Sequence, residues 1–197
     1  MTCRASRGSP AVERPRLVTE RLVLRLGEAG DVPALLQFHT ENAAFLAPWS
    51  PRRPDDFLTE AYWQREVARC HAEFAQDRSA RFCFFLRDAP LTPIGHVNLN
   101  NIHRGAAQYC DLGILLGERY QGQGLMSEAV RAAIEYAFTS LKLHRVKACY
   151  LPANTRSARL LHRLDFVIEG YAPRYLFING DWQDHILTSR INPDWNP

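Results

Sequence analysis

Long apolar runs are missing from this chain. Nowhere in its 197 residues do 18 uncharged apolar residues follow one another, so no membrane span is expected. Cysteine is sparse as well. The five that occur (Cys3, Cys70, Cys83, Cys110, Cys149) are odd in number and stand at no metal-ligand spacing. Three of them fall in periodic segments, where a thiol behaves as a small apolar side chain, and a reducing, cytoplasmic setting is expected. Neither sign of charge dominates: 24 Lys and Arg against 21 Asp and Glu leave +3 at pH 7. That is too little to argue for nucleic acid, and no direct DNA binding is expected. No His, Cys and carboxylate pattern suits a metal, and no Gly-x-Ser-x-Gly marks a hydrolase. Residues 1–15 hold three arginines and two prolines without an apolar segment. They read as a disordered tail rather than a secretory signal, ahead of one domain over 16–197.

What is present is organised around Arg119-Tyr120-Gln121-Gly122-Gln123-Gly124-Leu125-Met126. Before it, Tyr109 to Leu116 alternates with Cys110, Leu112, Ile114 and Leu116 on one side, the period of a strand. After it, Met126, Ala129, Val130, Ala133, Ile134 and Ala137 recur at helical spacing, with Glu128, Arg131 and Glu135 off that stripe. Two glycines let the backbone turn sharply and gather its N–H groups, and a helix N-terminus leaves its first N–H groups unpaired. The combination predicts a phosphate-bearing ligand. A P-loop requires Lys-Ser/Thr after its second glycine, and Leu125-Met126 stand there instead. The dinucleotide pattern fails at its third glycine, which is Ser127, and lacks an opening βαβ unit. A plain connector with no ligand is the alternative.

The remaining periodicities predict a single α/β domain of the α+β type, a mixed and mostly antiparallel twisted sheet flanked by helices. Leu17 to Leu26 reads as a first strand, and Asp31 with Pro33 opens a helix to about Asn42. Phe45 to Pro54 is too rich in proline for a regular element; Phe45 and Trp49 there are either tucked into the core or face a substrate. A second helix is expected from Thr59 to Ala75. Arg81 to Arg87, Ile94 to Ile102 and Tyr109 to Leu116 form an antiparallel meander. After the long helix come a strand over Arg145 to Leu151 and a short helix opened by Asn154. The chain ends in Phe166 to Gly170, Tyr175 to Ile178, an Asn179-Gly180 turn and Trp182 to Ile191.

Arg119-x-x-Gly122-x-Gly124 between strand and helix, followed by Asn154-x-x-Ser157, resembles the GNAT acetyltransferases over residues 16 to 197. Further stretches resemble their bacterial ribosomal-protein-alanine branch: Thr19-Glu20-Arg21-Leu22, Glu41-Asn42, Phe45-Leu46-x-Pro48-Trp49 and Gly180-x-Trp182-x-Asp184-His185. The resemblance implies acetyl-CoA as cosubstrate and no metal. It puts the pyrophosphate on N–H groups of Gln121, Gly122, Gln123, Gly124, Leu125 and Met126 beside Arg119. It puts the pantetheine amides against Leu112, Gly113, Ile114 and Leu115 and on Asn154, with Ser157 near the sulfur. Asp111 takes the place of an acidic residue on the strand before the turn; Phe45, Trp49, Tyr109 and Tyr175 are the expected acceptor contacts.

The implied reaction is acetylation of the N-terminal alanine of a ribosomal protein by direct attack in a ternary complex. A small amine is the alternative acceptor, and a non-catalytic coenzyme A-binding or ribosome-assembly protein a further one. The expected state is a monomer or a weak homodimer. An α-amine has a pKa of about 8 against about 10 for lysine, so a weak base suffices for it. Where some relatives carry a glutamate before the last hairpin, this chain reads Arg174-Tyr175-Leu176. That leaves His96, His144, Glu169, Asp184 and His185 beside Asp111 as candidate bases.

Overall fold

Alternating apolar residues draw most of the chain into strands, and one long helix-periodic segment forces a crossover between two of them. The computed structural model describes residues 14–196, so the expected tail lies, for residues 1–13, outside the described residues. In chain order the elements are β1 (Arg16–Val18), β2 (Leu22–Leu26), α1 (Val32–Glu41), α2 (Ala43–Leu46), α3 (Glu60–Ala75), β3 (Ala80–Leu86), β4 (Ala89–His103) and β5 (Tyr109–Leu116). They continue with α4 (Leu125–Thr139), β6 (Arg145–Tyr150), α5 (Thr155–Arg163), β7 (Val167–Ile178) and β8 (Asp181–Ile191). The strands make one sheet in the order β1-β2-β3-β4-β5-β6-β8-β7. All neighbours run antiparallel except β5 and β6. A parallel pair requires a long connection, and α4 is that connection.

Helix α4 buries Leu125, Ala129, Val130, Ala133, Ile134 and Ala137 on one face of the sheet. Its alanines at every fourth position let the helix lie close to the strands. The shared core includes Leu22, Leu24, Phe82, Phe84, Val97, Leu99 and Val146. Phe82 and Phe84 are fully buried, each worth about 2 kcal/mol in area removed from water. On the opposite face α1 and α3 build a smaller cluster of Val32, Leu35, Phe57, Trp63, Val67, Cys83 and Phe85. Beyond β4 that face carries half-buried side chains, among them Asp111, Lys147, Cys149 and Leu187. That part of the face lies outside the α1–α3 cluster and is the trough of the sheet.

Several sequence expectations change. Leu17 to Leu26 is not one strand: a turn at Thr19–Arg21 folds β1 back on β2, with Leu17 opposite Leu24. Thr19 holds that turn through its hydroxyl, which accepts from the Leu22 N–H at 3.0 Å. The proline-rich 45–54 stretch contains α2 and a 3-10 turn over Ala47–Trp49, because Pro48 sits in a first turn where its missing N–H costs nothing. Leu46 enters the core there, while Trp49 stays 42% exposed. The two pieces expected before the last turn are one strand, β7, interrupted by register shifts. Asp31 does flank α1, but its carboxylate grips Arg25 and the Glu28 N–H instead of capping.

Candidate active site

The glycine turn folds as its spacing requires. Gly122 has φ +75° and Gly124 φ +76°, the left-handed region that side chains rarely adopt. Gly124 is the N-cap of α4, and its carbonyl accepts from the Glu128 N–H at 3.1 Å. Among the described residues the N–H groups from Gly122 to Met126 meet no carbonyl or side-chain acceptor. They form a nest at the positive end of a 15-residue helix, which suits a phosphate. The side chains of the turn brace its shape: Gln121 Nε2 donates to the Leu116 carbonyl and Gln123 Nε2 to the Arg119 carbonyl, both at 3.0 Å. Arg119 is exposed, with its guanidinium 4.8 Å from the centre of the Tyr120 ring.

Strand register makes the second half of the site. β5 pairs with β6 only at Tyr109, Cys110 and Asp111, opposite Arg145, Val146 and Lys147. From Leu112 the two strands part, so Leu112, Gly113, Ile114 and Leu115 pair with β4 alone and face a notch on the other side. Unpaired strand edges accept an extended partner that carries amides. Beyond β6, Asn154 caps α5 by accepting the Ser157 N–H on Oδ1 at 3.0 Å, which leaves Nδ2 as a donor. Notch, nest and the Asn154–Ser157 cap all lie at the C-terminal ends of the parallel neighbours β5 and β6. The donor set fits a chain of amides ending in a pyrophosphate.

Asp111 stands at the last paired rung before the notch. Its Oδ2 accepts from Asn101 Nδ2 at 3.0 Å, and Lys147 Nζ lies 3.9 Å from Oδ1. The same ammonium sits 4.5 Å over the Tyr109 ring, so Tyr109 belongs to the closed end of the pair. Across the trough, the segment bearing Trp49 is tied to the hairpin bearing Tyr175. The Asn179 N–H donates to the Ser50 carbonyl at 3.1 Å, and Pro51 bridges Ile178. Tyr175 packs edge-on to buried His185, ring centres 5.8 Å apart. Phe45 is half-buried beside α1. His144 meets Trp195, Glu169 pairs with Arg145, and Asp184 is held by the Tyr171 hydroxyl and the Arg174 N–H. These three are engaged away from the notch.

Residues 21–167 match the family described as Acetyltransferase (GNAT) domain. The chain belongs to the GNAT acetyltransferase family. This acetyltransferase is 43% identical over 187 residues to the [Ribosomal protein uS5]-alanine N-acetyltransferase of Escherichia coli K12, spanning 94% of this chain and 95% of that protein. Its fold matches ribosomal-protein-S5-alanine acetyltransferase from Vibrio fischeri with a TM-score of 0.88 and 36% identity, over 93% of this chain and 100% of the other. It matches Mycobacterium smegmatis RimJ, solved in complex with a coenzyme A disulfide, with a TM-score of 0.84 and 25% identity, over 93% and 89% of the two chains.

Three residues that hold the acetyltransferase's site together carry no local signal in the sequence. Asn42 Oδ1 accepts the Glu118 N–H at 2.9 Å and so anchors the glycine turn to α1. His39 reaches His96 across 57 positions. Glu128, which reads as a solvent-facing residue of α4, accepts from Thr19 Oγ1 at 2.6 Å, the Arg21 N–H at 2.8 Å and Arg21 Nε at 2.7 Å. Arg21 Nη1 then donates to the Gln123 carbonyl at 3.0 Å. The Thr19–Arg21 turn is therefore a brace on the glycine turn.

Burial works to raise the Glu128 pKa, but hydrogen bonds from Thr19 and Arg21, with the Arg21 charge, outweigh it and hold the carboxyl below 4.5. Its contribution to stability is complete above that value and is lost as the pH falls through the depressed folded-state value. Glu128→Gln is expected to cost about 1–3 kcal/mol at neutral pH. Urea unfolding at neutral pH and near about pH 3.5 checks it: the variant's deficit should shrink in acid. An equal deficit at both would refute the brace.

Proposed function

We propose that this acetyltransferase moves the acetyl group of acetyl-CoA onto the N-terminal alanine α-amine of a ribosomal protein, in the cytoplasm. The observation that carries the proposal is the form of the acceptor side. The carboxylates nearest the point where β5 and β6 part are already matched by cations, Asp111 by Lys147 and Glu169 by Arg145. A polycation such as a polyamine requires unmatched carboxylates. The identity to the uS5-alanine enzyme supports the same acceptor.

Acetyl-CoA supplies the activated acyl group when bound. The chain's own residues supply position: N–H groups from Gly122 to Met126 for the pyrophosphate (the Gln121 N–H, expected to join them, donates to the Glu118 carbonyl at 3.1 Å instead), the free β5 edge from Leu112 to Leu115 and Asn154 for the pantetheine arm. Holding two substrates in line is worth up to about 7–11 kcal/mol of barrier in well-oriented cases. Asp111, at the point where β5 and β6 part, orients the incoming amine. Ser157, in the first turn of α5, delivers a proton to the departing sulfur. Trp49 and Tyr175 flank the entry, and Phe45 and Tyr109 complete the acceptor contacts.

Purified protein with acetyl-CoA and a mixed panel of acceptors tests the proposal by mass spectrometry. The panel holds peptides beginning with Ala, Ser or Met, the same peptides N-blocked with a free lysine, and spermidine. The expected result is a single acetyl added to free-terminus Ala peptides. Acetylation of spermidine alone would overturn the acceptor and retain the reaction.

A further inference from the structure

The His39–His96 pair ends a ladder of polar side chains on β4. On β4, His96, Asn98 and Asn100 point to the same side of the sheet, opposite Leu115, Gly113 and Asp111 of β5. All three are half-buried polar side chains on an interior strand. His96 Nε2 meets His39 Nε2 at 3.2 Å, and the two rings are nearly parallel. His39 stacks in turn on Trp63, centres 4.4 Å apart. The role proposed below requires His96 Nε2 to donate to His39 Nε2, which fixes both rings and leaves the lone pair on Nδ1 of His96, a nitrogen free of any protein partner among the described residues. Beside it, Asn98 Oδ1 is buried with no hydrogen-bond partner among the described residues, and so is Trp63 Nε1. Buried polar atoms left without partners mark places for water or substrate polar groups.

We propose that His96, held by His39, takes the proton from the acceptor nitrogen through a water seated over Asn98. The proposal rests on the amine-acetylating reading but not on the identity of the amine. The amine nitrogen forms a bond to the carbonyl carbon as the carbon–sulfur bond breaks. The nitrogen's proton passes to water and then to Nδ1 of His96, the departing thiolate takes one proton from the Ser157 hydroxyl, and Ser157 regains it from His96 through solvent, so charge and atoms balance. The nitrogen of the adduct is far more acidic than a free ammonium, so a weak base is adequate.

The groups around the pair fit that role. Burial, the neighbouring ring and Arg53 lower His39 to about 2, and burial and Arg53 lower His96 to about 4. The pair is therefore uncharged at neutral pH and available to accept. Facing groups are Arg53 from the 51–57 loop, stacked on Phe57, and Tyr62 and Glu66 from α3. Arg81 and Cys83 of β3 lie across from Asn98 and His96. Glu66 is committed to Arg69 and Arg81, and Asp111, two rungs beyond Gly113, has Lys147 Nζ 3.9 Å from its carboxylate.

The test uses whichever amine the wild type acetylates, which separates this proposal from the choice of acceptor. His96→Ala is expected to lower kcat by about 10²–10³-fold with acetyl-CoA binding unchanged. Added imidazole should restore part of the rate, and pyrrole, of the same shape but without an acceptor nitrogen, should not. Equal rescue by both, or by neither, overturns the proposal. Should His96→Ala fail to bind acetyl-CoA, His96→Gln serves: a loss of at least about 10-fold in kcat without a change in the acetyl-CoA KM supports the relay, and an unchanged kcat overturns it.

Discussion

Gly95→Ala is expected to be the most damaging single methyl group in the molecule, costing about 3 kcal/mol. A Cβ at that position would lie 2.4 Å from the Leu115 carbonyl oxygen and 2.5 Å from Phe84 Cζ. Neither neighbour can step aside cheaply. Phe84 is fully buried, and Leu115 belongs to the β5 edge that forms one wall of the notch. The substitution should therefore weaken acetyl-CoA binding as well as lower the urea midpoint. Gly30→Ala is the control: a Cβ there meets nothing within 4 Å, and the change should be near neutral. Comparable unfolding curves for the two variants would mean that β4 and β5 are not packed this closely.

Gly124→Val is expected to act on the cofactor as well as on the fold. The position holds φ +76° where α4 begins, and a β-branched residue in that region costs about 2 kcal/mol. A turn that relaxes to avoid the strain no longer gathers the N–H groups from Gly122 to Met126. Affinity for acetyl-CoA should fall by about 30-fold, the equivalent of the strain. Gly105 separates strain from function, since its φ is +66° with nothing within 4 Å and it lies in the β4–β5 connection. Gly105→Val should show a similar loss of stability and an unchanged dissociation constant. Titration calorimetry on the two variants decides; equal affinities would remove the glycine turn from the cofactor site.

The parts of this fold readable in the sequence are those whose signal is local. The meander, the Gly122–Gly124 turn, α4 and the Asn154 cap each rest on a periodicity or a spacing within a few residues. The apolar face of α4 follows the expected stripe, with Leu125 buried in place of Met126 at its start. The β1–β2 turn was hidden because Leu17, Leu22, Leu24 and Leu26 read as one run, while the residue that makes the fold-back worthwhile, Glu128, lies 107 positions beyond Arg21. The long β7 was hidden by its irregularities: Arg174 has φ +47° and the register slips around it. The notch itself is a difference in pairing length between β5 and β6, and no residue announces it. The His39–His96 pair is a tertiary contact between a helix and a strand, so His96 alone looked no better than the other candidate bases.

Backbone hydrogen exchange over β5, with and without acetyl-CoA, tests the assignment of the notch most directly. The amides of Leu112 to Leu115 that do not pair with β4, together with those of Gly122 to Met126, should slow on addition of acetyl-CoA, while Tyr109 to Asp111, already paired with β6, should change little. Protection confined to other elements, with Leu112 to Leu115 exchanging as before, would contradict the placement of the cosubstrate between β5 and β6.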